Sequence, residues 1–235
     1  MKRFWDHAEA TADAEGWAVL LDGRPVRLPG GGPLRLPFPA LAQAIVAEWE
    51  SAGTAKGGEM SYADVPLTRL AGTAQERIGP NPEPVALEIA RYAESDLLCY
   101  RATDPEALVR RQAERWQPWL DWAAHRYDAR LHVTAGVMHV AQDPAAIARL
   151  AQAVAACDAP TLAALGVAVP ALGSLVLGLA MAEAELDAAE AHALATLDET
   201  FQEELWGQDA LALERRRRIG AEVAVAGRFL ALCRA

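Results

Sequence analysis

The 235 residues carry a formal net charge of −10, and 52% of them are apolar. That length holds one large domain or two modest ones, with enough apolar material for a sizeable core. The charge repels nucleic-acid backbones and anionic lipid surfaces, which excludes both as primary partners. The three cysteines, Cys99, Cys157 and Cys233, lack both metal spacing and the pairing of a small disulfide scaffold.

Elements begin after a start, Met1 to His7, that has no apolar run of the kind a secretory signal needs. With the scattered cysteines, this gives an expected location in the bacterial cytoplasm. Trp17–Leu21 reads as a strand, Asp22–Gly23 as a tight turn, and Pro25–Leu28 as the returning strand. After a glycine-rich loop, Leu34–Leu36 makes a third short strand. Pro39 opens a helix that runs to Ser51, with Gly53 as its stop. Residues 53–64 read as a loop. Pro66 starts another helix, which ends at the linker Gly79–Pro80–Asn81–Pro82.

Beyond that linker the strong signals are helical. The spacing predicts helices over Pro84–Tyr100 and from Asp104–Pro105 to Tyr127, the second with Asp104 as N-cap and a bend at Pro118. Asp143–Pro144 starts a helix to Cys157 in the same way. Leu162–Ala182 is uncharged and long enough to span a bilayer, but Gly166, Pro170 and Gly173 divide it. Pro170 therefore reads as the start of a new, buried helix, and no stable membrane insertion is expected. Ala171 to about Trp206 carries one or two helices in all, and Asp209 caps the last. The expected fold class is α+β: residues 1–80 form a small antiparallel β-rich domain with helices, and residues 81–235 an all-α helical bundle.

Catalytic patterns are missing. There is no phosphate-binding loop, no dinucleotide fingerprint and no nucleophile elbow. Gly30–Gly32 lies between strands, without the helix N-terminus that holds phosphate. His125, His132 and His139 recur every seven residues, but Leu131–Val140 is strand-like or irregular, so the spacing has no helical meaning. No catalytic residue, metal site or cofactor is expected. A metal-dependent hydrolase using His125 and His132 is the weaker enzyme alternative, and a helical scaffold with another partner is the non-enzyme one.

Three features favour protein contact. Trp116, Trp119 and Trp122 lie three apart on one broad helix face. Asp198, Glu199, Glu203 and Glu204 form an acidic cluster before Trp206. Leu194, Leu197, Phe201 and Leu205 make the apolar stripe of that segment, which turns Glu199 and Glu203 to water. Arg215–Arg218 spreads around a helix and is expected to pair with acids such as Glu214 and Glu222.

The segment Tyr92–Ala93–Glu94–Ser95–Asp96–Leu97–Leu98–Cys99–Tyr100–Arg101 resembles the hallmark of the ATP synthase assembly chaperones that act on the alpha subunit in mitochondria and alpha-proteobacteria. Lys2–Trp5, Val19–Val26, Ala47–Trp49, Val65–Thr68, Arg111–Gln112 with Trp116 to Trp122, Leu172–Leu177 and Gln202–Asp209 are similar to the family's other landmarks, in the same order. The resemblance covers essentially the whole chain. It implies a non-enzymatic chaperone, monomeric when free, that holds the free alpha subunit until beta arrives. Eukaryotic relatives would work in the mitochondrial matrix. It places the family's acidic position on Asp198 or Glu199, in the same segment as Glu203 and Trp206, and its Glu–Trp pair on Glu48 and Trp49. These six are the candidate protein-binding positions.

Overall fold

In the computed structural model, which describes residues 2–235, the first strand is one that sequence alternation did not reveal. β1 (Ala8–Asp13) carries no large apolar residue, yet it pairs antiparallel with β2 (Gly16–Leu21) along its full length, from Ala8 opposite Leu21 to Asp13 opposite Gly16. Its place comes from the partner strand and not from its own pattern. The other edge of β2 takes β3 (Arg24–Pro25) near one end and β4 (Arg35–Leu36) near the other. Asp22 and Gly23 both have positive φ, 47° and 76°, as a two-residue hairpin that follows the strand twist requires. Helix α1 (Pro39–Ser51) packs on β1 and β2 with Leu41, Ala42, Ile45 and Trp49 buried along one stripe. Pro66 opens α2 (Pro66–Gly72), which continues as a wider turn over Thr73–Ile78.

These elements belong to the first of two compact units. It takes in the chain up to Pro82 together with Asp158–Ala164 and Arg228–Ala235. The second unit comprises Glu83–Cys157 and Leu165–Gly227.

The second unit is almost entirely helical. Its helices are α3 (Glu83–Ala90), α4 (Glu106–Tyr127), α5 (Pro144–Ala155), most of α6 (Ala159–Leu172), α7 (Leu175–Ala182), α8 (Ala188–Ala195), α9 (Leu197–Trp206) and most of α10 (Ala210–Leu232). An α+β fold with a helical C-terminal part is therefore observed. Four local expectations need correction. The helix predicted over Pro84–Tyr100 stops at Ala90 and gives way to two 3₁₀ turns, Arg91–Ser95 and Leu97–Cys99. Asp96 causes the second: its carboxylate accepts the Leu98 N–H, a local bond that competes with continued α-helix. Tyr100–Arg101 then forms β5, parallel to β6 (Thr134–Ala135). Secondly, Pro105 and not Asp104 is the N-cap residue of α4. Thirdly, α6 runs straight through Gly166 and Pro170, and the break falls at Gly173, with φ 65°, before Ser174 caps α7. Among the described residues, no helix is long and apolar enough to cross a membrane. Three helices, α7 to α9, occupy the stretch assigned to one or two.

Candidate protein-docking site

Helix α9 is anchored by its inward face. Leu197 and Phe201 are buried, and the Arg111 guanidinium lies 4.9 Å from the Phe201 ring centroid. The predicted apolar stripe continues in sequence to Leu205 but leaves the core there, because the helix ends at Gly207. Gly207 takes φ 87°, and Asp209 receives the Ala212 N–H at the start of α10. The result is a corner on which Leu205, Trp206 and Leu211 are 56%, 78% and 82% exposed. Side chains of this kind are ordinarily buried, and a cluster of them marks a contact surface.

Three of the four acidic side chains of α9 are held by partners. Asp198 Oδ1 accepts a 2.7 Å hydrogen bond from Gln112 Nε2 of α4. Glu204 accepts both Arg111 terminal nitrogens at 2.8 Å, and this bidentate bond holds its carboxyl below the usual range. Glu203 does not face water as expected. It is paired with Arg216 at 2.7 Å, and both side chains are only about one-seventh exposed, 14% and 13%. The expected partners of the arginine run, Glu214 and Glu222, are therefore displaced by an acid on the preceding helix. Glu199 is exposed. Glu199, Gln202 and Trp206 stand at helical spacing, so one outer stripe carries a carboxylate, an amide and an indole.

Gln112, named in the sequence only as part of a landmark, has a structural role that sequence reasoning did not foresee. It is fully buried, its Oε1 accepts the Ala102 N–H at 2.8 Å, and its backbone carbonyl accepts from Arg101 Nη1 at 2.9 Å. Arg101 also donates to the Leu98 carbonyl and lies over the Trp116 ring. Asp198 is therefore linked through one side-chain amide to Ala102, the residue that follows the hallmark segment. The available signal was a polar residue on the buried stripe of α4 between Leu108 and Trp116.

The hallmark's own acid, Asp96, is buried with 0% exposure. It accepts from Ser174 Oγ and the Val176 N–H, both at 3.0 Å, and so ties the 3₁₀ turn to the N-terminus of α7. Burial without a counter-charge pushes its carboxyl up to about 6, against the opposing effect of these hydrogen bonds. Trp116 is buried and donates to the Leu194 carbonyl, while Trp119 and Trp122 are half-buried and meet edge to face.

Glu48 and Trp49, the candidates of the first unit, lie in its core at 8% and 5% exposure. Pro66 has no N–H, so the next free donors of α2 are those of Leu67 and Thr68, and the Glu48 carboxylate takes both, at 2.6 and 3.0 Å. Thr68 Oγ donates to Glu48 at 3.1 Å and accepts from Trp49 Nε1 at 3.0 Å. Trp5 donates to the Trp49 carbonyl and stacks edge to face on its ring. Burial raises the Glu48 carboxyl despite these donors. Buried in this way, the pair fixes α1 to α2.

The histidines of the seven-residue repeat have separate neighbours: the Asp121 carbonyl for His125, the Ala141 carbonyl for His132 and the Tyr100 hydroxyl for His139. Among the described residues, no three His, Cys, Asp or Glu side chains are grouped to hold a metal.

The family described as ATP12 chaperone protein matches residues 2–124. The crystal structure of Atp12 from Paracoccus denitrificans is 44% identical and superposes with a TM-score of 0.91 over 99% of this chain and 98% of that one. A charge-reversal variant of the same P. denitrificans protein gives the same identity and TM-score, over 99% and 97%. A protein of Agrobacterium tumefaciens, crystallised as a chaperone candidate, is 40% identical with a TM-score of 0.88, over 98% of this chain and 85% of that one.

Proposed function

Because the chain belongs to the ATP12 chaperone family, we propose that it binds the free alpha subunit of the F-type ATP synthase head and holds it until beta takes its place. A free alpha subunit exposes apolar surface meant for beta, and such surface aggregates unless covered. The observation that carries this reading is the corner between α9 and α10. Trp206 and Leu211 are more than three-quarters exposed there, and the Glu199 carboxylate lies on the same outer stripe as Trp206. Aromatic anchors of this kind supply most of the energy of a protein contact, and a nearby carboxylate orients a basic client surface. Binding needs no bond-making chemistry, so the protein acts as a monomeric, non-enzymatic holder in the cytoplasm.

The test mixes purified protein with isolated alpha subunit at equimolar, micromolar concentration. Reduced light scattering and a co-eluting complex on size exclusion are expected. Unchanged aggregation with no complex overturns the reading.

A further inference from the structure

The first unit carries a groove of ≈ 380 Å³ between the loop after β3 and helix α2. Its floor is apolar: Val26, Leu28 and Trp49 are buried beneath it. Gly72 lets the two walls approach, since a Cβ there would sit 2.8 Å from Leu28 Cδ2. Arg27, Arg69 and Arg77 are exposed along its rim, and among the described residues none of them forms an ion pair. Other arginines of this unit do: Arg3 faces Glu50, and Arg35 faces Asp13 and Glu15. The one acid lining the groove, Glu76, spends both oxygens on the Gly30 N–H at 3.1 Å and thereby holds the loop.

We propose that this groove binds an acidic, extended segment of a partner protein, with one large apolar side chain seated over Leu28 and Trp49 and carboxylates on either side meeting Arg27, Arg69 and Arg77. Charge complementarity selects the occupant. Three guanidinium groups without a carboxylate partner, one of them (Arg27) donating to the Gly31 carbonyl at 2.7 Å, line this groove on a molecule whose net charge is −10, so the rim is a local reversal of the overall field. Guanidinium groups match carboxylates in geometry as well as charge. The volume suits one or two large side chains. The apolar floor favours a peptide over nucleic acid, which the rest of the surface repels. This site is independent of the α9–α10 corner, and neither reading depends on the other.

The probe is a fluorescein-labelled, amidated hexapeptide of sequence Asp-Glu-Leu-Phe-Glu-Asp, followed by anisotropy and by amide-shift mapping. Saturable binding is expected, with shifts at Arg69, Gly72 and Thr73. It should weaken about tenfold between about 50 and about 300 mM salt. The double variant R69E/R77E should lose at least about tenfold in affinity with an unchanged melting curve, and a peptide with Ser-Ser in place of Leu-Phe should not bind. Trp206→Ser should bind the peptide as the parent protein does. No binding at millimolar peptide, full binding by R69E/R77E, shifts confined to α9, or a preference for an oligonucleotide of equal charge would each overturn the proposal. If R69E/R77E does not fold, Thr73→Trp, which fills the groove from an exposed position, should abolish binding, and retained binding there also refutes it.

Discussion

Gln112 and Asp198 are joined by a 2.7 Å hydrogen bond from the side-chain amide to the carboxylate, and the same amide's oxygen accepts the Ala102 N–H. Asp198 thus closes a chain that starts at Ala102, just after the hallmark segment, and ends on the acidic helix. Neighbouring Glu199 has the same charge and is exposed to solvent. Two adjacent acids therefore have different surroundings, one tied to α4 and one in solvent, so a docking role and a structural one can be told apart experimentally.

Glu199→Lys should leave the melting temperature unchanged and weaken alpha-subunit binding several-fold, more at low salt than at high. Asp198→Lys should lower stability by about 1–3 kcal/mol, because it leaves the buried Gln112 amide unpaired. Denaturant titration and a binding isotherm on each variant check both statements. Equal melting losses for the two would remove the distinction.

Trp206→Ser and Leu211→Ser, at positions that are 78% and 82% exposed, should cost little stability. If the corner is the anchor, each should weaken the client complex by about 1–2 kcal/mol, visible as faster dissociation. Surface plasmon resonance with immobilised alpha subunit reads this directly. Unaltered dissociation would move the anchor elsewhere.

Glu48→Ala should destabilise the protein by about 2–4 kcal/mol, since two buried N–H groups of α2 lose their acceptor. Trp49→Ala should cost about 3–5 kcal/mol through lost packing. Both should reduce client holding only as far as the folded fraction falls. A normal melting curve with lost binding would instead give these residues a direct contact.

Asp96 predicts a pH dependence with a definite sign. Its folded carboxyl titrates near 6, above the usual 3.8, so between those values the folded state holds the proton more tightly than the unfolded state. Its contribution is therefore most favourable below about pH 4, falls as pH rises through about 6, and is flat beyond. The total is on the order of 3 kcal/mol. Asp96→Asn should flatten this fall, as measured by urea unfolding from about pH 4 to about pH 7. An identical slope in the variant would show that Asp96 is not the titrating group.

The sequence-level expectations held where a local signal existed. Pro39 and the stripe to Trp49, Asp22–Gly23, Asp143–Pro144 and Asp209 all mark boundaries by chemistry confined to a few residues. They failed where a distant partner decides. β1 is a strand because β2 pairs with it, and the hallmark leaves the α-helix because Asp96 is held by Ser174 and Val176, some eighty residues on. Pro170 stays inside α6 because that helix is held by its own apolar side chains, Leu165, Val169 and Leu172 all being buried. At the candidate site, periodicity put Glu199 on an outer face, but it could not foresee that Arg216 would select Glu203 or that Gln112 would hold Asp198.

The first unit takes in residues from the beginning, the middle and the end of the chain, and Phe229 and Leu230, both buried, belong to its last segment. On a ribosome those residues emerge after the strands and helices they complete. The first unit therefore stays incomplete, without these two buried side chains, through the synthesis of more than half of the protein. The unit that begins with the first strands made is thus closed only when translation is nearly done.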